Sequence, residues 1–174
     1  MKRTGKTLTL RGTMEQLTWD TYNTDNILDY ANVLDINKAW KVRWFEVWLS
    51  TPIGVLAPGS RTDISLDSIL DTEVVANPNN RADDNRQIAW SNQAYTLGRA
   101  PATKATGIIG QQIVIDPDHI IQKELNINIL PAGDSVVEGT LLDVNYIVYL
   151  EEYQITANES IVSTIKQSAQ SLNQ

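Results

Sequence analysis

The residues best suited to chemistry in this chain surround its one histidine. His119 follows Asp116-Pro117-Asp118, so an imidazole and two carboxylates fall within four residues. Oxygen ligands of this kind suit calcium, which makes Asp116, Asp118 and His119 the candidate metal ligands. Asp-Pro-Asp is also the composition of a tight turn ahead of a strand. We prefer the turn, and we expect neither a metal ion nor another cofactor.

Other routes to catalysis have little support in the sequence. With 1 histidine and 0 cysteines, the chain cannot build a multi-histidine cupin-type centre, a thiolate nucleophile or a cysteine zinc site. Phosphate-loop and G-x-S-x-G patterns are absent. The adjacent acids Asp83-Asp84 and Glu151-Glu152 would point to opposite faces of a strand, so neither pair forms an acid–base couple. We therefore expect that the protein is not an enzyme.

Tryptophans at regular spacing raise the question of a carbohydrate-binding surface. Trp40, Trp44 and Trp48 lie four residues apart within residues 39–49. The apolar parity of this segment changes at Trp44-Phe45, which predicts either a β-bulge or a strand that passes from one covered face to another. A bulge would split the tryptophans between two faces. We interpret them as core-filling side chains, with an exposed aromatic platform as the alternative.

The strongest secondary-structure signal is the strand pattern of residues 140–153. Every second residue there is apolar, which is the period of a β-strand. The members of this parity are Leu142, Val144, Tyr146, Val148 and Leu150. Six to eight such strands, without regular strand–helix alternation, predict one all-β domain built as an antiparallel sandwich or barrel. We expect residues 92–110, which are rich in small side chains, to be mostly exposed loop.

One amphipathic helix follows the last strand. Thr156 and Glu159 have capping-box spacing, and apolar residues then recur at helical intervals. This stripe must cover either the end of its own sandwich or a neighbouring subunit. The second possibility defines the candidate subunit interface, which consists of Ile161, Val162, Ile165 and Ala169.

The formal net charge of −7 is unevenly distributed. Four basic residues precede the first acid, so the first 14 residues carry +4 and the remainder carries −11. Such a segment can contact phosphates locally, although it can also be a frayed, solvated terminus. The candidate nucleic-acid contacts are Lys2, Arg3, Lys6 and Arg11.

The predicted organisation is a basic N-terminal arm (1–14), a sandwich (15–155), and a C-terminal helix and tail (156–174). The N-terminal residues lack the apolar run of a signal peptide. No segment approaches the roughly 18 apolar residues of a membrane span. We therefore expect synthesis in a cytoplasm and no membrane association.

Four segments together resemble small single jelly-roll capsid proteins of viruses with small genomes. They are residues 37–43 opening an aromatic strand, 84–90 after a polar loop, 115–119 ahead of a strand, and 146–153 before the terminal helix. The similarity spans roughly residues 38–170. It implies an all-β, antiparallel jelly-roll sandwich with a C-terminal amphipathic helix, which self-assembles into a virion shell around a viral genome.

Within that resemblance, the implied partners are further copies of the chain, other virion proteins and packaged nucleic acid. The implied location is the virion, after synthesis in the host cytoplasm. Many such proteins carry a long arginine-rich arm, whereas this chain has four basic residues before its first acid. Packaging by the arm alone is therefore in doubt. The alternative function is a phage tail or fibre domain, or a carbohydrate-binding β-sandwich module.

Overall fold

The structure, a computed structural model, describes residues 1–29, 37–50, 62–74, 78–97, 106–133 and 141–171. These residues form eight strands and one helix. In chain order they are β1 (Lys2–Leu17), β2 (Asn23–Asp29), β3 (Lys38–Leu49), β4 (Thr62–Asp71), β5 (Gln87–Leu97), β6 (Thr106–Ile115), β7 (Glu124–Gly133), β8 (Leu142–Gln154) and α1 (Ala157–Ser171). Two antiparallel sheets result, with the strand orders β1-β8-β3 and β2-β7-β4-β5-β6. The predicted all-β sandwich with a C-terminal helix is confirmed.

The strand pairing is that of a jelly roll. Strands distant in sequence form the ladders β1–β8 and β2–β7, and the consecutive strands β4 and β5 also pair. This nested pairing is that of a long β-hairpin folded into two sheets. Within the described residues β3 and β6 share no ladder, because β6 extends the five-stranded sheet beside β5. On the side away from β8, β3 makes a single bridge, between Trp40 and Ile121.

The core lies between the two sheets and is supplied by alternate strand residues. Val144 and Val148 of β8 are fully buried from one side, and Leu125, Ile127 and Ile129 of β7 are fully buried from the other. Burying a side chain of this size contributes roughly 1.5–3 kcal/mol relative to exposure. The alternation in residues 140–153 therefore identified the strand that carries one wall of the core.

The predicted bulge in β3 is confirmed. The register against β8 shifts between Val42 and Trp44, so Arg43 is an extra residue in the strand. Val42 is buried, Arg43 and Trp44 are both exposed, and Phe45 is again fully buried. Beyond the bulge, the apolar side chains of β3 therefore point into the core again.

The prediction that residues 92–110 are mostly exposed loop is wrong for 92–97 and 106–110. β5 continues to Leu97 and β6 begins at Thr106, while residues 98–105 lie outside the described part of the chain. The inward side chains include Gln93 and Tyr95, and the Tyr95 hydroxyl donates a hydrogen bond to Gln93. Because the inward-facing residues of β5 include the polar side chains of Ser91 and Gln93, the strand shows no clear apolar alternation.

β1 places the N-terminal residues in the three-stranded sheet. It pairs with β8 from Lys2 to Leu17, so the predicted boundary at residue 14 falls inside a continuous strand. The register shifts between Arg3 and Thr7, where Gly5 has a φ of 84° that suits glycine. Among the described residues, no helix has the length and hydrophobicity needed to cross a membrane.

Close packing between β1 and β8 predicts an asymmetric response to added methyl groups. A Cβ at Gly12 would lie 2.7 Å from Cζ of the Tyr146 ring, whereas a Cβ at Gly110 would meet nothing within 4 Å. We expect Gly12→Ala to lower the free energy of unfolding by about 1–3 kcal/mol through overpacking. Gly110→Ala is the matched control, and chemical denaturation measures both. Equal stability of the two variants would contradict the packing described here.

Candidate subunit interface and neighbouring sites

The terminal helix begins at the predicted capping box. The Thr156 N–H donates to Glu159 Oε2 at 2.8 Å, and the Glu159 N–H donates to Thr156 Oγ1 at 3.3 Å. The Met1 amine lies 2.8 Å from Glu159 Oε1. This hydrogen bond from the amine, followed by that from the Thr156 backbone, lowers the pKa of Glu159 to about 2. The start of α1 is therefore held against Met1, the residue that precedes β1.

Further contacts attach the β8–α1 junction and the first turn of α1 to the sandwich. Ile155 is 3% exposed in a small cluster with Ala39 and Ile120. Gln122 Nε2 donates to Ser160 Oγ at 2.6 Å. The direction in which α1 leaves the sandwich is thus set by residues on both sides of the β8–α1 junction.

The apolar stripe of α1 is exposed. Ile161, Val162 and Ile165 are 56%, 53% and 60% exposed, respectively. Ala169 lies on the same helix, but its side chain is outside the described part of the structure. The described side chains of the stripe are therefore not buried against the protein's own sandwich, which was the first of the two explanations. Ile161, Val162 and Ile165 remain available to another molecule.

The candidate metal ligands line a cleft of about 380 Å³ between the start of α1 and the β6–β7 connection. Asp116 Oδ1 accepts a 2.9 Å hydrogen bond from the Asp118 N–H, which closes the turn expected of Asp-Pro-Asp. Asp116 Oδ2 lies 3.9 Å from His119 Nδ1. No group of three or more His, Cys, Asp or Glu residues in the described ranges is arranged to hold a metal ion.

The basic N-terminal residues are distributed along β1. Arg3 forms an ion pair with Glu151, and Lys6 Nζ lies 3.7 Å from Glu152 Oε1, so both partners belong to β8. Lys2 and Arg11 are exposed on the same strand. The sheet therefore places Arg3 and Lys6 next to acids, and the role of the four residues as nucleic-acid contacts stays a prediction.

Two of the three regularly spaced tryptophans are on the surface. Trp40 is 8% exposed, as predicted for a core residue, but Trp44 and Trp48 are 38% and 40% exposed. The core-filling interpretation is therefore wrong for Trp44 and Trp48, because the bulge at Arg43 turns both to the outer face. Tyr149 of β8 joins them there, with its ring centroid 5.2 Å from that of Trp44.

The sequence contained a signal for this aromatic patch (Trp44, Trp48 and Tyr149). After the bulge, the core parity of β3 is Phe45, Val47 and Leu49, so the residues between them must face outward. The same rule puts Tyr149 opposite the buried parity of β8. A bulge in β3, together with the alternation of side chains on either side of it, is therefore enough to predict that Trp44, Trp48 and Tyr149 share the outer face.

The five-stranded sheet contains a buried polar layer. Asn128 Nδ2 donates to Asp71 Oδ2 at 2.7 Å, and the Thr24 hydroxyl donates to Asn128 Oδ1 at 2.6 Å. Asp71 Oδ1 has no hydrogen-bond partner among the described residues. Burial raises the pKa of Asp71 to about 7, against the lowering effect of Asn128, and the Asp84 charge adds to the rise.

Among known proteins, solved structures of viruses are similar to this chain. No protein-family model and no curated protein sequence matches the chain. A structure of Desmodium yellow mottle tymovirus aligns over 86% of this chain and 87% of that chain, with 8% identity and a TM-score of 0.39. Turnip yellow mosaic virus aligns over 87% of this chain and 95% of that chain, with 14% identity and a TM-score of 0.35. The empty head of that virus aligns over 86% and 81%, with 14% identity and a TM-score of 0.32.

The strand pairing identifies the fold as a jelly roll. Three of the four ladders of an eight-stranded jelly roll are present in the described residues, and the remaining strand, β6, is paired beside β5. The predicted jelly-roll sandwich is therefore confirmed by the pairing of its strands.

The buried carboxyl of Asp71 predicts a pH-dependent stability. Its pKa is about 7 in the folded protein and 3.8 for an ordinary aspartate, so between these values the unfolded chain releases a proton that the folded chain keeps. Stability from this group therefore falls as pH rises from about 4 to 7. We expect Asp71→Asn to be more stable than wild type at pH 8, by the order of 2–4 kcal/mol, with the difference shrinking towards pH 4.

Thermal unfolding from pH 4 to 8 measures this difference. Asp83→Asn is the control, because Asp83 is exposed and its pKa is lowered by the hydrogen bond from Arg81. If the difference in stability between Asp71→Asn and wild type does not change with pH, Asp71 is ionised over the whole range and the prediction is wrong.

Proposed function

We propose that this chain is a capsid subunit that self-assembles through its terminal helix and encloses a viral genome. The observation that carries the proposal is the exposed apolar stripe of α1, in which Ile161, Val162 and Ile165 are all more than half exposed. Three large aliphatic side chains on one short helix are costly to leave in water, and burial of each contributes roughly 1.5–3 kcal/mol. A neighbouring copy of the chain offers such burial at every subunit of a shell.

The fold narrows the alternatives. Jelly rolls serve as viral capsid domains, lectin domains and cupins. A cupin-type metal centre needs several histidines, and this chain has 1. A lectin requires a sugar site and has no use for an exposed helical stripe, whereas a shell subunit can bury such a stripe against its neighbours. The resemblance of residues 38–170 to small jelly-roll capsid proteins supports the same choice.

The way α1 is attached also suits assembly. Its first turn is fixed by Glu159, Ile155 and Ser160, so the stripe is presented in a set direction. Preorganised surfaces bind with less loss of conformational entropy than flexible ones. Sheet edges provide a second contact, because an edge strand with unpaired backbone groups can be covered by a neighbouring subunit. The assembled protein would then be located in the virion, alongside any other virion proteins.

Removing the stripe tests the proposal. We expect the double variant Ile161→Asp/Ile165→Asp to remain folded, because both side chains are exposed in the single chain. Its assembly should need at least tenfold more protein than wild type, since two buried aliphatic contacts are replaced by charges. Light scattering and negative-stain microscopy of the purified protein measure assembly, and circular dichroism measures folding.

The matched control is Thr164→Asp, which adds a carboxylate to an exposed position of the same helix and removes no apolar side chain. It should assemble as wild type does. A wild-type protein that stays monomeric at high concentration, or a double variant that assembles normally, would overturn the proposal.

A further inference from the structure

The two sheets differ sharply in charge. β1, β3 and β8 together carry seven basic and five acidic residues, and the seven are half of the 14 Lys and Arg in the chain. The strands of the five-stranded sheet carry six acidic residues and no basic ones. An acidic protein with a net charge of −7 therefore concentrates its cations on one sheet.

The outer face of the three-stranded sheet combines these cations with the aromatic patch. Strand pairing places Thr9, Tyr149 and Trp44 in one row across β1, β8 and β3. The next row contains Arg11, Ile147 and Glu46, in which Arg11 is exposed and Glu46 is half-buried. The cation of Arg11 thus lies one row from the tilted ring pair of Trp44 and Tyr149.

Arginines also neutralise the main acid of this face. Glu151 is 7% exposed, forms an ion pair with Arg3, and has its Oε2 3.1 Å from Nε of Arg43. The Arg43 side chain is still 58% exposed, so part of its guanidinium remains accessible. At the same end, Lys41 Nζ lies 5.6 Å from the ring centre of Tyr153. The face therefore presents the exposed guanidinium groups of Arg11 and Arg43, although it also holds Glu151 and the half-buried Glu46.

We propose that the outer face of the three-stranded sheet binds single-stranded nucleic acid through the aromatic patch and the cations of Arg11 and Arg43. Proteins that bind single strands combine a basic surface along the phosphates with aromatic rings on which bases stack. Stacking on Trp44, Trp48 or Tyr149 requires bases that are free of a duplex. The inference deepens the proposed function and rests on it, because the enclosed genome would be the ligand.

Charge complementarity selects this ligand over a carbohydrate. A neutral sugar would use the rings but would leave the clustered arginines without a role. A polyanion uses both, because each phosphate contact releases counterions. Of the two sheets, the three-stranded one alone presents described strands with an excess of cations, so it is the side on which a genome would be held.

The test measures binding of a fluorescent single-stranded oligouridylate or oligothymidylate of about 20 nucleotides, a length that exceeds one protein site. We expect Trp44→Leu/Trp48→Leu to bind about tenfold or more weakly than wild type, since stacking on one aromatic ring contributes about 1–3 kcal/mol. Arg11→Gln should reduce the slope of log affinity against log salt by about 0.7, the value for one phosphate contact on a single strand.

Two variants of the opposite side serve as controls. Val114→Ala removes an exposed apolar side chain from β6, and Arg81→Gln removes an exposed cation from the β4–β5 connection. Both should bind as wild type does. Absence of binding by wild type, unchanged binding by the tryptophan variant, equal affinity for a duplex, or quenching of tryptophan fluorescence by oligosaccharides alone would each overturn the inference.

Assembly and binding are scored separately, so that failure of one proposal is distinguishable from failure of the other. The oligonucleotide is titrated into wild type and into the Ile161→Asp/Ile165→Asp variant, in which the sheet is accessible without a shell. Particles formed by a protein that does not bind the oligonucleotide would overturn this inference alone. Binding by a wild-type protein that never assembles would overturn the capsid proposal alone.

Discussion

The pairing of β8 with two neighbours is the constraint on which the rest of the structure depends. β8 is the central strand of the three-stranded sheet, so β1 and β3 are each held to it by a full ladder. Its inward residues, among them Val144 and Val148, form one wall of the core. Its last residues lead directly into the helix, and Glu151 near its end pairs with arginines from both flanking strands. The core, the ion pairs of Glu151 and the direction of α1 therefore all depend on β8.

The sandwich has two chemically different sides. The outer face of the three-stranded sheet carries exposed rings and arginines, whereas the other sheet combines acidic strands with a buried layer of amide, hydroxyl and carboxyl groups. Asp71 belongs to that layer and keeps a pKa of about 7 because burial disfavours its charged form. A closed shell has an inside and an outside, and a subunit with this asymmetry would present different chemistry to each.

Local sequence signals were accurate where one interaction decides the structure. The capping box at Thr156 and Glu159 and the bulge at Trp44 were both predicted, because each depends on neighbouring residues alone. The sequence did not identify residues 92–97 as strand, since the buried Gln93, which accepts a hydrogen bond from Tyr95, interrupts the apolar alternation. The core-filling interpretation was wrong for Trp44 and Trp48, because the bulge changes which alternate residues of β3 face the core.

By itself, the sequence determined the strand-rich architecture, the position of the terminal helix and the uneven charge of the chain, because periodicity and composition are local properties. The tertiary structure alone decided which strands are neighbours, and hence that Arg3, Arg43 and Tyr149 share one face. It also decided that Ile161 and Ile165 are exposed, since a stripe of helical residues does not reveal whether anything lies opposite. The shared face comes from pairings between strands distant in sequence, such as β1 with β8, and no local pattern specifies those pairings.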